Sequence, residues 1–293
     1  MNESYIQSSK PVVACLDGGD DGDRALRYAI EEAQRRETGV RLVHVIPEIL
    51  AYAPMSPVYE TPNLRDIGSR VLKDALERCH ELAPDLFVDG TVSDGHRVST
   101  IVEESEKAAA VVLGTREWRV HRVFGGSTTM GVASHAHCPV IAVPPTWSPG
   151  SVGGKVVVGV DEYAGPDVVL TRGFEEARGR KAELSVVHAW TPPYAYGPTF
   201  GSYESDEWKT SMQDRLAELT AAVRAEYADV PTHLVATFGT DRTALAEIAS
   251  DAALLVVGRH HRAAPLIQRL GSVARHAIHA GACPVEIVPV PEQ

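Results

Sequence analysis

The sequence of this chain repeats itself once, and the repeat constrains the fold more than any other feature. Landmarks of the first half recur in the same order in the second half, 144 or 145 residues later. They are the apolar runs that end in Asp17 and Asp161, the Val-His pairs at His44 and His188, the strand-like runs that end in Gly114 and Gly258, and the Cys-Pro-Val segments that begin at Cys138 and Cys283. Landmarks that recur in the same order and at a nearly constant spacing indicate duplication of a single domain.

Each half has the pattern of an α/β domain. Short Val, Ile and Leu runs alternate with longer amphipathic stretches, as in β-α-β units around a parallel sheet, and the runs are continuous, as expected for strands buried on both faces. We predict strands near residues 11–17, 40–46, 86–92, 110–114, 139–143, 155–161, 183–190, 232–238, 254–258 and 284–288. We predict helices near residues 22–37, 62–82, 97–107, 127–136, 165–179, 203–227, 242–251 and 272–280. The predicted fold is two tandem open-twisted parallel five-stranded sheets with helices on both faces, as in Rossmann-like folds.

A segment rich in Pro, Gly and Ser, from Pro144 to Gly154, separates the two copies. Such a segment continues neither a helix nor a central strand. We therefore predict a first domain over residues 1–145, a linker over 146–154 and a second domain over 155–293.

Charge and composition disfavour several classes of partner. Asp and Glu number 39 against 28 Lys and Arg, and the resulting net charge of −11 repels nucleic acids and anionic lipid surfaces. No apolar stretch approaches the roughly 18 to 20 residues that cross a bilayer, and the N-terminus lacks the charge and apolar core of a signal peptide. The four cysteines show no CxxC spacing, so we expect reduced, mostly buried thiols. We predict a cytoplasmic protein that binds neither nucleic acid nor membrane.

A carboxylate follows the first predicted strand of each copy. In open parallel sheets, ligands bind beyond the carboxyl ends of the strands, where the strand order reverses. Asp17 recurs as Asp161, although the residues after it change from Gly-Gly to Glu-Tyr, so this side chain is a candidate for a functional role. We interpret the neighbouring acids as helix-capping residues that favour the positive end of the helix dipole. They are Asp20, Asp21 and Asp23.

A basic loop follows the fourth predicted strand of each copy and leads to a Gly-Ser pair that opens a helix. Glycine and a hydroxyl at a helix start present free amide hydrogens that suit a phosphate group, although Ser127 and Ser272 could equally be N-caps only. The basic residues of the loops concentrate positive charge on an acidic protein and favour a small anionic ligand. They are Arg116, Arg119, His121 and Arg122 in the first copy, and Arg259, His260, His261, Arg262 and Arg269 in the second.

These residues carry a resemblance over essentially the full length: the chain resembles a tandem-domain universal stress protein of the ATP-binding type. The resemblance implies an adenine nucleotide α-hydrolase-like fold, ATP as ligand, with or without magnesium, and an internal pseudo-dimer of the two domains. We also expect further pairing into a homodimer. In that branch of the family the loop reads Gly, two residues, Gly, nine residues, then Gly-Ser or Gly-Thr. After Gly258 the length fits but His261 replaces the second glycine, whereas after Gly114 the loop is one residue short and carries Glu117. We therefore expect the second domain to be the better nucleotide site.

The resemblance also implies which residues contact the nucleotide. Around the adenosine part it places Asp17, Val45, Asp161 and Ala189. Around the phosphates it places Gly114, Gly126, Ser127, Thr128, Gly258, His261, Gly271, Ser272 and Val273.

The sequence does not indicate dedicated catalysis. It contains no G-x-S-x-G, H-E-x-x-H or P-loop motif, and we predict no catalytic residue. We also predict no metal site, because the histidines at 260, 261, 276 and 279 lack carboxylate or thiolate ligands at the usual spacing. The predicted function is a stress-response protein that binds ATP as a regulatory ligand, with slow or no hydrolysis, and that acts on an unidentified protein partner. The alternatives are a nucleotide-free interaction scaffold and an adenylate-cleaving enzyme.

Overall fold

The protein forms two compact units, Met1–Pro145 and Thr146–Gln293. Their architecture is given by a computed structural model that describes residues 9–47, 64–116, 128–150, 154–161, 166–190, 206–238, 241–259 and 270–291. Within these residues, no helix combines the length and the apolar character that crossing a membrane requires.

The described residues of the first unit form five parallel strands in the order β3-β2-β1-β4-β5. The strands are β1 (Val12–Leu16), β2 (Val40–Pro47), β3 (Val88–Gly95), β4 (Ala110–Gly114) and β5 (Val140–Val143). The helices between them are α1 (Asp20–Arg35), α2 (Leu64–Leu82), α3 (Arg97–Ser105) and α4 (Thr128–His135).

The second unit repeats this plan, with five parallel strands in the order β10-β9-β6-β7-β8 among its described residues. The strands are β6 (Lys155–Gly159), β7 (Glu183–Trp190), β8 (Thr232–Phe238), β9 (Leu254–Arg259) and β10 (Val285–Pro289). The helices are α5 (Pro166–Arg180), α6 (Asp206–Glu226), α7 (Asp241–Ile248) and α8 (Ser272–Ala280).

The strand register shows the duplication residue by residue. Val12 pairs with Ala110 in the first unit, and Val156 pairs with Leu254 in the second, each 144 residues further on. Consecutive residues of the central strands point to opposite faces, and runs of them are buried, such as Val12 and Val13 in β1 and Val156 and Val157 in β6. Both faces of each sheet are therefore covered, and the predicted α/β fold with parallel sheets and helices is confirmed.

Candidate functional site

The strand order of the first unit reverses between β1 and β4, because β2 and β3 lie on one side of this pair and β5 on the other. The crevice beyond the carboxyl ends of two such strands is the usual ligand site of open parallel sheets. Asp17 directly follows β1, and Thr115 and Arg116 directly follow β4. The second unit has the same reversal between β6 and β9, and Asp161 lies two residues beyond the end of β6.

Asp17 caps helix α1 from outside the helix. Its Oδ1 accepts hydrogen bonds from the backbone amides of Gly19, at 2.9 Å, and Gly22, at 3.0 Å. Gly19 is the N-cap residue and has no side chain to offer, so the Asp17 carboxylate satisfies amides that the first turn would leave without an acceptor. The acids Asp20, Asp21 and Asp23 lie in the first turn, as predicted, but the capping oxygen belongs to Asp17.

Two glycines allow the backbone to approach closely at this end of the sheet. A Cβ atom on Gly22 would lie 2.8 Å from both the amide nitrogen and the Oδ1 of Asp17. A Cβ atom on Gly114 would lie 2.1 Å from the carbonyl oxygen of Asp21, so the start of α1 rests directly on the end of β4. Gly114 was among the predicted site residues but Gly22 was not, and the signal for Gly22 is a glycine in the first turn of an otherwise regular helix.

Arg116 bridges the crevice. Its Nη2 donates to Asp17 Oδ2 at 2.9 Å, and its Nε donates to Asp21 Oδ2 at 2.5 Å. Asp21 also pairs with Arg24, whose Nη2 donates in turn to the carbonyl oxygen of Thr115 at 3.1 Å. The loops after β1 and β4 are thus joined by a chain of guanidinium and carboxylate groups.

The local contacts keep this pair of groups ionised. Burial alone would raise the pKa of Asp17, but hydrogen bonds from the Gly19 amide, Arg116 and the Gly22 amide outweigh burial and lower that pKa. Hydrogen bonds to Asp21 and Asp17 raise the pKa of the Arg116 guanidinium. At neutral pH the crevice of the first unit therefore holds a carboxylate and a guanidinium in direct contact.

A histidine supports the strand end in each unit. His44 Nδ1 lies 3.0 Å from the carbonyl oxygen of Leu16, and His188 Nδ1 lies 3.1 Å from that of Val160. A carbonyl oxygen only accepts, so Nδ1 is the donor in both rings. The recurring Val-His pair thus holds the peptide that precedes Asp17 or Asp161, which explains why the sequence repeats it.

The remaining predicted residues occupy different environments. The Val45 side chain is buried in β2, Gly258 is buried in β9, and Ala189 is half-buried in β7. Thr128 is the first residue of α4 and is half-buried. The residues predicted as phosphate contacts that lie outside the described parts of the chain are Gly126, Ser127 and His261.

Helix α8 begins with an accessible first turn. Gly271 is its N-cap residue and Ser272 is its first helical residue, so the alternative interpretation of Ser272 as an N-cap is wrong. A Cβ atom on Gly271 would meet no described residue within 4 Å, and the φ of −56° at Gly271 suits any residue. The amides of Ser272 and Val273 belong to the first turn, where the helix itself provides no acceptor. This helix start can therefore receive an anion.

The thiols and histidines offer no second centre among the described residues. All four cysteines are free thiols, with Cys15 half-buried and the other three buried, as the sequence predicts. No group of three or more potential metal ligands occurs in the described parts of the chain. Burial, followed by the nearby charges of Arg275 and His276, lowers the pKa of His279.

Comparisons with known proteins agree with the fold and with the repeat. The model of the universal stress protein family matches residues 8–144 and 154–289. Universal stress protein Rv1996 of Mycobacterium tuberculosis (strain ATCC 25618 / H37Rv) is 27% identical over 311 residues, covering 99% of this chain and 98% of the relative. Universal stress protein Rv2005c of the same strain is 28% identical over 282 residues, covering 94% and 95%.

A solved structure has the same fold over nearly the whole chain. The crystal structure of a universal stress protein from Archaeoglobus fulgidus DSM 4304 superposes with a TM-score of 0.72 at 16% identity, covering 96% of this chain and 97% of that one. Because the family model matches both halves, in the same order as the internal repeat, this chain belongs to the universal stress protein family.

Proposed function

We propose that this protein binds ATP as a regulatory ligand, with slow or no hydrolysis, and that its second unit is the better site. The observation that carries the proposal is the start of α8, where no described residue lies against Gly271 and the first-turn amides of Ser272 and Val273 suit a phosphate. Asp161, two residues beyond β6, lies at the switch point of the same sheet and would face the adenosine part.

A regulatory role follows from the kind of groups involved. Backbone amides and a helix dipole bind phosphate oxygens without activating a nucleophile. Nucleotide binding would instead change the shape of the protein or its affinity for a partner. We further propose a cytoplasmic location, a homodimer and an unidentified protein partner as the receiver of this change.

A nucleotide-free interaction scaffold is the second candidate, and one observation favours it. In the first unit, Asp17 and Arg116 are bonded to each other across the crevice where a ligand would enter. A chain that had lost ATP binding could retain such an internal ion pair as a structural replacement for the ligand.

Nucleotide retention tests the proposal. Freshly purified protein is denatured, the supernatant is chromatographed for adenine nucleotides, and thermal melts are repeated with ATP and magnesium. ATP at 100 times its Kd adds about 2.7 kcal/mol of stability, which raises Tm by several degrees. We expect Gly271→Trp to abolish both the retained nucleotide and this rise in Tm, because the indole fills the space in front of α8.

Gly154→Trp is the matched control. Gly154 also has no described residue within 4 Å of an added Cβ atom, but it directly precedes β6, at the amino end of the strands and away from the crevice. The control should keep the nucleotide and the Tm shift. Unchanged retention in Gly271→Trp would contradict the assignment to the second unit. A wild-type protein with neither nucleotide nor Tm shift would support the scaffold, and time-dependent AMP release would support an enzyme.

A further inference from the structure

The contact of Arg116 with two carboxylates spans the switch point of the first sheet. The guanidinium comes from the loop after β4, Asp17 from the end of β1, and Asp21 from the first turn of α1. The Arg116 side chain is 61% exposed, whereas that of Asp21 is only 17% exposed. A largely solvated cation thus lies across the crevice in contact with two less exposed carboxylates.

Both carboxylates keep partners when Arg116 moves away. Asp17 Oδ1 still accepts from the Gly19 and Gly22 amides, and Asp21 still pairs with Arg24. Departure of the guanidinium therefore leaves neither carboxylate without a hydrogen bond, and it does not require the loop to unfold.

The backbone beside Arg116 is anchored independently of its side chain. The Thr115 amide donates to the carbonyl oxygen of Val143 at 2.8 Å, and the Thr115 carbonyl accepts from Arg24 at 3.1 Å. Side-chain rotation of Arg116 is therefore sufficient to open the contact. Ion pairs this exposed change an equilibrium constant by about fivefold at most, so opening is easy.

The charge of an entering ligand decides what replaces the broken contacts. A neutral ligand that occupies the crevice separates Arg116 from Asp17 and provides no anionic acceptor for the guanidinium. A phosphate or similar anion offers the guanidinium two oxygens in the fork geometry that it prefers. The two classes of ligand therefore differ in their binding free energies through this one side chain.

We propose that Arg116 is a specificity-determining residue of the first unit. Its contact with Asp17 and Asp21 must break when a ligand enters, which disfavours neutral ligands, whereas a ligand with an anionic group binds the freed guanidinium. The choice of nucleotide as probe rests on the proposed function. The position 144 residues further on is His260, which lies outside the described residues, so the inference concerns the first unit alone.

Calorimetric titration of full-length protein with adenosine and with ATP, in metal-free buffer, tests the proposal. All proteins carry Gly271→Trp, so that the second unit is blocked. We expect Arg116→Gln to tighten adenosine about two- to fivefold, since an exposed ion pair no longer has to break. The same change should weaken ATP about tenfold, because a charge-assisted contact with phosphate is lost.

Two further variants separate the effect of the Arg116 charge from the effect of its contact with the carboxylates. Asp21→Asn loosens the contact but keeps the guanidinium, so both ligands should tighten about twofold. Arg78→Gln removes another exposed ion pair, between Arg78 of α2 and Asp23 of α1, and should change the affinity for neither ligand. Parallel changes for adenosine and ATP in Arg116→Gln, or no change at all, would overturn the proposal.

A probe without a nucleoside distinguishes the two possible failures. If neither these variants nor the protein with Gly271 intact binds adenosine or ATP, the proposed function is contradicted. Inorganic pyrophosphate then tests Arg116 alone, through the NMR signal of its guanidinium group. A saturable shift of that signal in the wild type, absent with choline chloride of equal ionic strength, supports the inference, and an unmoved signal overturns it.

Discussion

Gly114 is the residue at which the fold of the crevice depends most directly on the absence of a side chain. We expect Gly114→Ala to destabilise the first unit by about 1–3 kcal/mol, because the added methyl group would meet the Asp21 backbone at 2.1 Å and the start of α1 cannot yield without leaving the sheet. Native-state hydrogen exchange of the β1 and β4 amides measures this loss in the unit concerned.

Gly19→Ala adds the same methyl group in the loop between β1 and α1, where it would lie 3.6 Å from Asp17 Oδ1, an ordinary contact. It should change the stability by less than about 0.5 kcal/mol, because Asp17 already provides the capping oxygen. Equal losses in the two variants would mean that steric conflict with Asp21 is not the cause.

Individual residues also show which parts of the site could be predicted from the sequence and which could not. The repeat and the strand pattern correctly placed Asp17 after β1 and Gly114 at the end of β4, because both follow from local periodicity. The contact between Asp17 and Arg116 joins residues 99 positions apart, and neither periodicity nor spacing determines which side chains meet across a crevice. The predicted capping residues were the acids in the first turn of α1, but the observed capping oxygen belongs to Asp17, which lies outside the helix.

At the level of elements, buried strands were predicted best. Strand β4 was predicted at 110–114 and is observed at Ala110–Gly114, because a continuous apolar run is buried on both faces. Strand β3 was predicted at 86–92 and is observed at Val88–Gly95. Its last residues are polar or glycine and carry no apolar signal, but pairing with the end of β2 keeps them in the sheet.

A buried ion-pair network joins α5 to β10 in the second unit. Arg172 Nε donates to Glu286 Oε1 at 2.8 Å, Arg172 also pairs with Glu176, and Glu286 is fully buried. The corresponding positions of the first unit hold Tyr28 and Ile141, both buried. Two equivalent positions of the repeat thus hold Tyr and Ile in the first unit and an Arg–Glu ion pair in the second.

We expect Arg172→Met to destabilise the second unit by about 3–5 kcal/mol, because it removes the Arg172 guanidinium from the buried Glu286 carboxylate. The double variant Arg172→Tyr with Glu286→Ile, which copies the first unit, should recover most of this loss. Urea unfolding followed by hydrogen exchange of the β9 and β10 amides measures both effects.

Arg178→Gln is the control for this network. Arg178 pairs with Asp229 on the surface of the same unit, where solvent screens the pair, so we expect a much smaller loss than in Arg172→Met. If Arg172→Met cost no more than this control, the network would be energetically equivalent to a surface pair. If the double variant were no more stable than the single one, Tyr and Ile would not fit the second unit.

At the level of the whole molecule, each unit carries a buried thiol that reports its own unfolding. Cys79 lies in α2 and Cys283 lies just before β10. Burial raises the pKa of Cys79 to about 11 and that of Cys283 to about 12, whereas an unfolded cysteine titrates near pKa about 8.5. At pH 8, therefore, iodoacetamide should label each thiol only when its unit opens.

Each unit contributes five parallel strands, and the second has a core cluster drawn from its own strands and helices, so we expect their stabilities to respond to substitution separately. With pulsed alkylation at increasing urea and peptide mass spectrometry, Gly114→Ala should lower the midpoint for Cys79 and leave that for Cys283 in place. Arg172→Met should do the reverse. One shared midpoint that moves equally in both variants would show that the duplicated domains unfold as a single cooperative body, in which case a ligand held by one unit would stabilise both.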